Sequence, residues 1–145
     1  MAENENIEYA KQQIAALNAH DVDSYVSRID ESYVGQSEMA PGSIRGPEGV
    51  RQSMQMLFAA FPDLRLEIVQ IISSGNFIVT QSRATGTHKG TFAGIPATNK
   101  SVVVPSCNVI ELRNGKAIQG RLYSDTAALL MQIGALSLPK ATAAS

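Results

Sequence analysis

The sequence predicts an α+β domain: a curved antiparallel sheet with three N-terminal helices on one face and a short C-terminal helix. Two observations predict it. As far as Phe61, apolar residues recur mostly at helical spacing. Beyond it the chain turns to strand-like runs, FIVTQSRATGTH (77–88), SVVVPSCNVIELR (101–113) and KAIQGRLY (116–123). Asn114-Gly115 joins the last two runs as a hairpin, and the stretch from Phe77 to Asp125 is the one the rest is organised around.

Ile7 to Ala19 reads as an amphipathic helix with Ile7, Ala10, Ile14 and Leu17 on one side. Asn18-Ala19-His20-Asp21 ends it, and Asp21 can cap a second short helix carrying Val22, Tyr25, Val26 and Ile29. Ser32 to Glu38 is a short strand, with Tyr33 and Gly35 on one face and Val34 and Gln36 on the other. Met39 to Gly46 is a loop. Pro47 then suits a first helical turn and Glu48 the positive end of the helix dipole. Val50, Met54, Leu57, Phe58 and Phe61 form the buried stripe of that third helix, and Pro62-Asp63 terminates it.

Leu64 to Ser73 is a strand whose Ile71-Ile72 pair interrupts strict alternation, and Ser74-Gly75-Asn76 turns it into the next. Lys89 to Lys100 is a loop that lacks the spacing of a phosphate-binding loop. Ser124 or Asp125 caps the last helix, Leu129, Leu130 and Ile133 give it an apolar side, and Gly134 stops it. Residues 1–145 form a single domain, with 1–5 and 137–145 expected to be mobile.

Twelve basic against thirteen acidic residues give a formal charge of −1. The basic residues are dispersed and lack aromatic interleaving, which argues against a nucleic-acid partner. The only cysteine, Cys107, sits between apolar residues of a strand, so it forms no intrachain disulfide or cysteine-cluster zinc site and reads as an inert thiol. His20 and His88 lack clustered carboxylate or thiol partners, so no metal and no cofactor are expected. No apolar run reaches the length of a membrane span and the N-terminus is acidic, which predicts a cytoplasmic protein.

A sheet packed on a helix layer curls around it and leaves an apolar pocket at its open end, suited to a small hydrophobic ligand. Val102, Val103 and Val104 put apolar groups on both faces of one strand. The outer face is therefore expected to meet a second copy, giving a homodimer.

Several segments then carry a family resemblance: Gly46-Pro47-Glu48-Gly49-Val50-Arg51, Ala60-Phe61-Pro62-Asp63-Leu64, Gly86-Thr87-His88-Lys89-Gly90, Gly94 to Lys100, Arg113-Asn114-Gly115-Lys116, Asp125 and Gln132-Ile133-Gly134. In this order and spacing the chain resembles the SnoaL-like polyketide cyclases, within the superfamily of nuclear transport factor two-like and ketosteroid-isomerase-like domains. The resemblance implies a cystatin-like α+β cone with a deep apolar cavity. It also implies a cofactor-independent lyase or isomerase acting by acid–base catalysis on a carbonyl-rich or polycyclic molecule. In that family an aspartate removes a carbon-bound proton before an intramolecular aldol closure. Relatives with other activities, or with binding alone, share the fold.

The departures bear on chemistry. The family's final strand commonly reads glutamate, histidine, tryptophan, aspartate, where this chain has Gln119, Gly120, Arg121 and Leu122. The catalytic aspartate thus falls at Leu122, which favours as the alternative a noncatalytic ligand-binding or dimeric scaffold domain. A family histidine is matched by Gln36, an arginine by Gln81, and a strand position often occupied by aspartate or histidine by Asn108.

The candidate catalytic set is therefore Asp125, Arg121, His88 and Asn108. Asp125 is either a helix cap or a base, since a cap stabilises the charged form and lowers basicity. Arg121 shares a strand face with Gln119 and Tyr123, and Arg83 shares one with Gln81 and Thr85. If these faces look inward, the two guanidiniums can clamp a carboxylate or stabilise an enolate; otherwise they pair with acids outside. His88 either fixes a turn or transfers a proton. Asn108 and Gln36 can donate to a carbonyl, and Tyr33 either donates to an oxyanion or packs. Met54 and Phe58 line the core and any pocket it leaves.

Overall fold

The computed structural model describes residues 3–37 and 42–139. The chain runs α1 (Glu3–Asn18), α2 (Val22–Val26), β1 (Ile29–Ser37), β2 (Ile44–Arg45), α3 (Gly46–Ala60), β3 (Arg65–Ser74), β4 (Phe77–Thr87), β5 (Ser101–Arg113), β6 (Lys116–Ser124) and α4 (Thr126–Gln132). The expected mobile ends fall in part on residues 1, 2 and 140–145, the last residue of the expected first strand on 38, and part of the expected loop on 39–41, which lie outside the described residues. Among the described residues no helix is long and apolar enough to cross a membrane.

The expectation of a curved antiparallel sheet forming a cone behind three N-terminal helices is overturned. Two helices precede the first strand; α3 is inserted between β2 and β3. The sheet is mixed and open, in the order β2-β1-β6-β5-β4-β3, with β1 parallel to β6. Tight turns force β3–β4 and β5–β6 to pair antiparallel, and β4–β5 pair antiparallel as well. No local turn links β1 to β6, which follows far along the chain, so nothing local dictates its direction.

The edge strand β3 is held by α1. Asn18 closes two bonds on Leu66: its Nδ2 donates to the Leu66 carbonyl at 2.9 Å, and its Oδ1 accepts the Leu66 N–H at 2.8 Å. At the other end of α1, Asn6 Nδ2 donates to Ser73 Oγ at 3.1 Å and to the Gly75 carbonyl at 3.0 Å. These amides occupy polar groups beside an edge that would otherwise recruit another strand. They also explain why the buried face of α1 adds Asn6, Tyr9 and Gln13 to Ala10 of the expected stripe, whose Ile7, Ile14 and Leu17 are half-buried. Gln13 is satisfied too, donating to the Tyr25 carbonyl at 3.1 Å.

The helix caps follow the sequence. Asp21 accepts from the Ser24 N–H at 3.1 Å to start α2, and Asp125 accepts from the Ala128 N–H at 2.9 Å to start α4. Gly134, at φ 82°, ends α4 with its N–H on the Met131 carbonyl. The break in β3 falls between Ile68 and Gln70, where the register shifts, rather than at Ile71-Ile72.

Two apolar clusters form the core. Tyr9, Val26, Ile29, Val50, Met54, Ile78 and Leu112 belong to one; Phe61, Leu64, Val102, Val104, Leu129 and Ile133 belong to the other. Leu17 and Phe58 pack against both.

Candidate functional site

Strand register decides which side chains meet. Along β4, Ile78, Thr80 and Ser82 are buried while Phe77, Gln81 and Arg83 are exposed, so the even positions face the helices. Thr80 pairs with Asn108 and Asn108 with Leu122; Ser82 pairs with Ser106 and Ser106 with Ser124. Partners across an antiparallel ladder project from the same face. The helix-facing side thus carries two cross-strand rows, Thr80-Asn108-Leu122 and Ser82-Ser106-Ser124. They lie between Ile78 and Leu112 of one apolar cluster and Val102 and Val104 of the other.

This band departs from ordinary core chemistry. Ser82 Oγ and Ser106 Oγ satisfy each other at 2.9 Å. Asn108 makes no side-chain hydrogen bond among the described residues, and it, Leu122 and Ser124 are only half-buried. Phe58 of α3, also half-buried, is held by a 4.0 Å stack on His20, whose Nε2 lies 3.2 Å from the Leu64 carbonyl. An amide with unused donors and acceptor, flanked by hydroxyls and bordered by apolar groups, can orient a carbonyl-bearing apolar molecule.

The expected site residues divide among four places. Asn108, Met54 and Phe58 belong to the helix side of the sheet, and Tyr33 also packs against the first cluster. Gln81, Tyr123 and Asp125 line a depression of about 350 Å³ on the opposite, open face, together with Ile72, Val79 and Cys107. Gln36, Arg83, Gln119 and Arg121 are exposed on that open face, where Gln36 pairs with Arg121 across the β1–β6 ladder. Arg83 lies 3.9 Å from Glu67, a surface pair of small energetic consequence, and Arg121 has no ion-pair partner among the described residues.

His88 stands apart, sealed in the connection between β4 and β5. It is wholly buried against Phe61. Its Nδ1 accepts the Thr98 N–H at 3.3 Å and lies 3.0 Å from Thr98 Oγ1, while its backbone N–H donates to the Lys100 carbonyl. These bonds knot the 88–100 loop onto the end of α3, where Lys89 and Gly90 donate to the Ala60 carbonyl. Asp125 spends its Oδ1 on the α4 cap and is exposed. No carboxylate stands in the helix-facing rows. Among the described residues no group of three or more His, Cys, Asp or Glu side chains is placed to hold a metal ion.

Thr80, Ser82, Ser106 and Ser124 were missed by sequence reasoning. Their signal was present: Thr80 and Ser82 share the parity of Ile78, so polar residues occupy a face that starts apolar. Only the register, which aligns them with Asn108, gathers them into one polar band.

The profile of the SnoaL-like polyketide cyclase family matches residues 8–133. The chain is 25% identical over 122 residues to the nogalonic acid methyl ester cyclase of Streptomyces nogalater, covering 83% of this chain and 91% of that protein. It is 25% identical over 131 residues to the aklanonic acid methyl ester cyclase of Streptomyces peucetius, covering 88% and 90%. Among solved structures, one assigned to the SnoaL-like polyketide cyclases, from Jannaschia sp. CCS1, superimposes with a TM-score of 0.84 at 25% identity, covering 93% of this chain and 95% of that one.

Proposed function

Since the chain belongs to the SnoaL-like polyketide cyclase family, we propose that it acts on a small, carbonyl-rich polycyclic molecule held between its helix layer and its sheet. The observation that carries this reading is the half-buried Asn108 amide, unused by the protein and set among Thr80, Ser106 and Ser124 between two apolar clusters. Such a group polarises a substrate carbonyl by hydrogen bonding and makes the adjoining carbon a stronger acid. With Leu122 at the place of the family's aspartate, the proton then leaves to solvent base rather than to a side chain. The two curated relatives, named for cyclising acid methyl esters, support the substrate class.

The test is incubation with nogalonic and aklanonic acid methyl esters, followed by chromatography for a ring-closed isomer of unchanged mass. Turnover that drops roughly tenfold or more in Asn108→Leu is expected, the scale of one hydrogen bond to a developing charge. Binding without turnover would instead establish the second reading, a ligand-binding domain. Leu122 and the exposed, capping Asp125 favour that reading, because neither supplies a proton acceptor beside Asn108. Absence of binding to any polycyclic ketone would remove both.

The open face supports a homodimer as the working assembly. Ile72, Phe77, Val103 and Tyr123 are each about half exposed there. Exposed apolar side chains spread along one sheet face are consistent with a contact surface. Light scattering should give twice the monomer mass for the native chain and a monomer for Val103→Lys; a monomeric native chain refutes the assembly.

A further inference from the structure

Tyr33 and two glycines form a composite unit on the helix side of the sheet. Gly35 of β1 and Gly120 of β6 are register partners, and both are buried. The Tyr33 ring covers both of them. A Cβ at Gly35 would stand 2.8 Å from the Tyr33 hydroxyl oxygen and from its Cε1, and a Cβ at Gly120 would collide with the hydroxyl. The phenol therefore fills the space a residue-120 side chain would take, and Ile110 Cδ1 bounds it on the far side, 3.1 Å from that Cβ position.

We propose that the Tyr33 hydroxyl is a second hydrogen-bond donor of the ligand site, delivered from β1 into the space vacated at Gly120 and acting beside Asn108 on an enol or enolate oxygen. The inference rests on the site assignment made above and names the chemical form that site prefers. Two geometric observations support it, and the protonation state of the phenol agrees with them. The hydroxyl has no hydrogen-bond partner among the described residues. Gly120 and Leu122 are two residues apart on one strand face, which puts the phenol about 7 Å along the strand from the Asn108-Leu122 row. Two donors at that spacing can share the oxygens of one conjugated dicarbonyl. Burial, with the nearby Tyr25, raises the phenol's pKa well above its ordinary value, so it keeps its proton at neutral pH and can only donate to an anion.

The probe is 1-acetyl-2-naphthol, whose acetyl and ring oxygens offer each donor its own acceptor and whose neutral and ionised forms differ in absorbance, titrated against the full-length protein across its ionisation. The native protein should bind naphtholate more tightly than naphthol. Tyr33→Phe, which keeps the ring and its packing, should weaken naphtholate roughly tenfold or more while changing naphthol less than about twofold, because a donor to a charged acceptor is lost and the apolar contact is kept. Gly120→Ala should do the same by displacing the hydroxyl, and circular dichroism melts show whether each variant is folded. If naphtholate binds in an Asn108-dependent way but is indifferent to Tyr33→Phe, this inference is overturned and the site stands. If neither form binds the native protein, both fall.

Discussion

Replacing Leu122 with aspartate places a carboxylate on the helix side of the sheet, opposite Asn108. Leu122 is half-buried, so losing its side chain forfeits about 1 kcal/mol of apolar transfer. The new carboxylate stands on the half-buried helix side beside the row of Ser82, Ser106 and Ser124, and partial desolvation raises its pKa. A rise of about two units is worth about 2.7 kcal/mol once the group is ionised. A carboxylate whose folded value is raised costs nothing electrostatic below the unfolded value and destabilises progressively as pH rises through that value to the folded one. Relative to the native chain, Leu122→Asp should therefore lose about 1 kcal/mol near pH 4 and about 4 kcal/mol near pH 8. For a chain of 145 residues each kcal/mol moves Tm by roughly 3 °C, so the losses are about 3 °C and about 12 °C. Thermal melts of native, Leu122→Asp and Leu122→Asn protein at both pH values measure this, the asparagine variant controlling for shape without charge. Equal losses for Leu122→Asp at the two pH values would mean that position 122 faces water, and the interior site would go with it.

Two further outcomes test the frame around the site. Asn18→Ala removes both bonds to Leu66, about 1 kcal/mol each, and should lower Tm by roughly 6 °C and speed hydrogen exchange at the Leu66 amide; an unchanged exchange rate would show that α1 does not hold the β3 edge. Asp63 accepts from the Thr87 hydroxyl at 2.8 Å and from the Thr87 N–H at 2.7 Å, and these bonds hold its carboxyl below the usual range. Its contribution is thus present above the ordinary carboxylate value and lost as pH falls through the folded value. The Tm gap between native and Asp63→Asn protein should be modest at pH 7, since the group is exposed, and should close below about pH 4. A gap that widens in acid would contradict the bond assignment.

Much of this fold was legible because its signals are local. Periodicity located α3 and the long strands, Asn114-Gly115 located their hairpin, and Asp21, Asp125 and Gly134 marked helix ends to within a residue or two. Where the reading went astray, a distant partner had intervened. Asn6 and Gln13 look like surface residues until Ser73, Gly75 and Tyr25 appear across the interface. The two-residue β2 exists only because β1 lies beside it. The parallel β1–β6 pairing, the open sheet and the position of α3 likewise depend on contacts between residues far apart in the chain.

The site shows the same division. The sequence alone determined the family and the candidate polar residues, because these depend on residue identity and order. It also determined that Gln119, Arg121 and Tyr123 share one face, since side chains alternate along any strand. Which face looks toward the helices was decided only in three dimensions. The bulge at Ile118 of β6, opposite Glu111 and Leu112 of β5, sets the parity of β6 after it, turning Gly120 and Leu122 inward and Arg121 outward. The long-range pairing of β1 with β6 then brought Tyr33 over Gly120, a contact between residues that no local pattern connects.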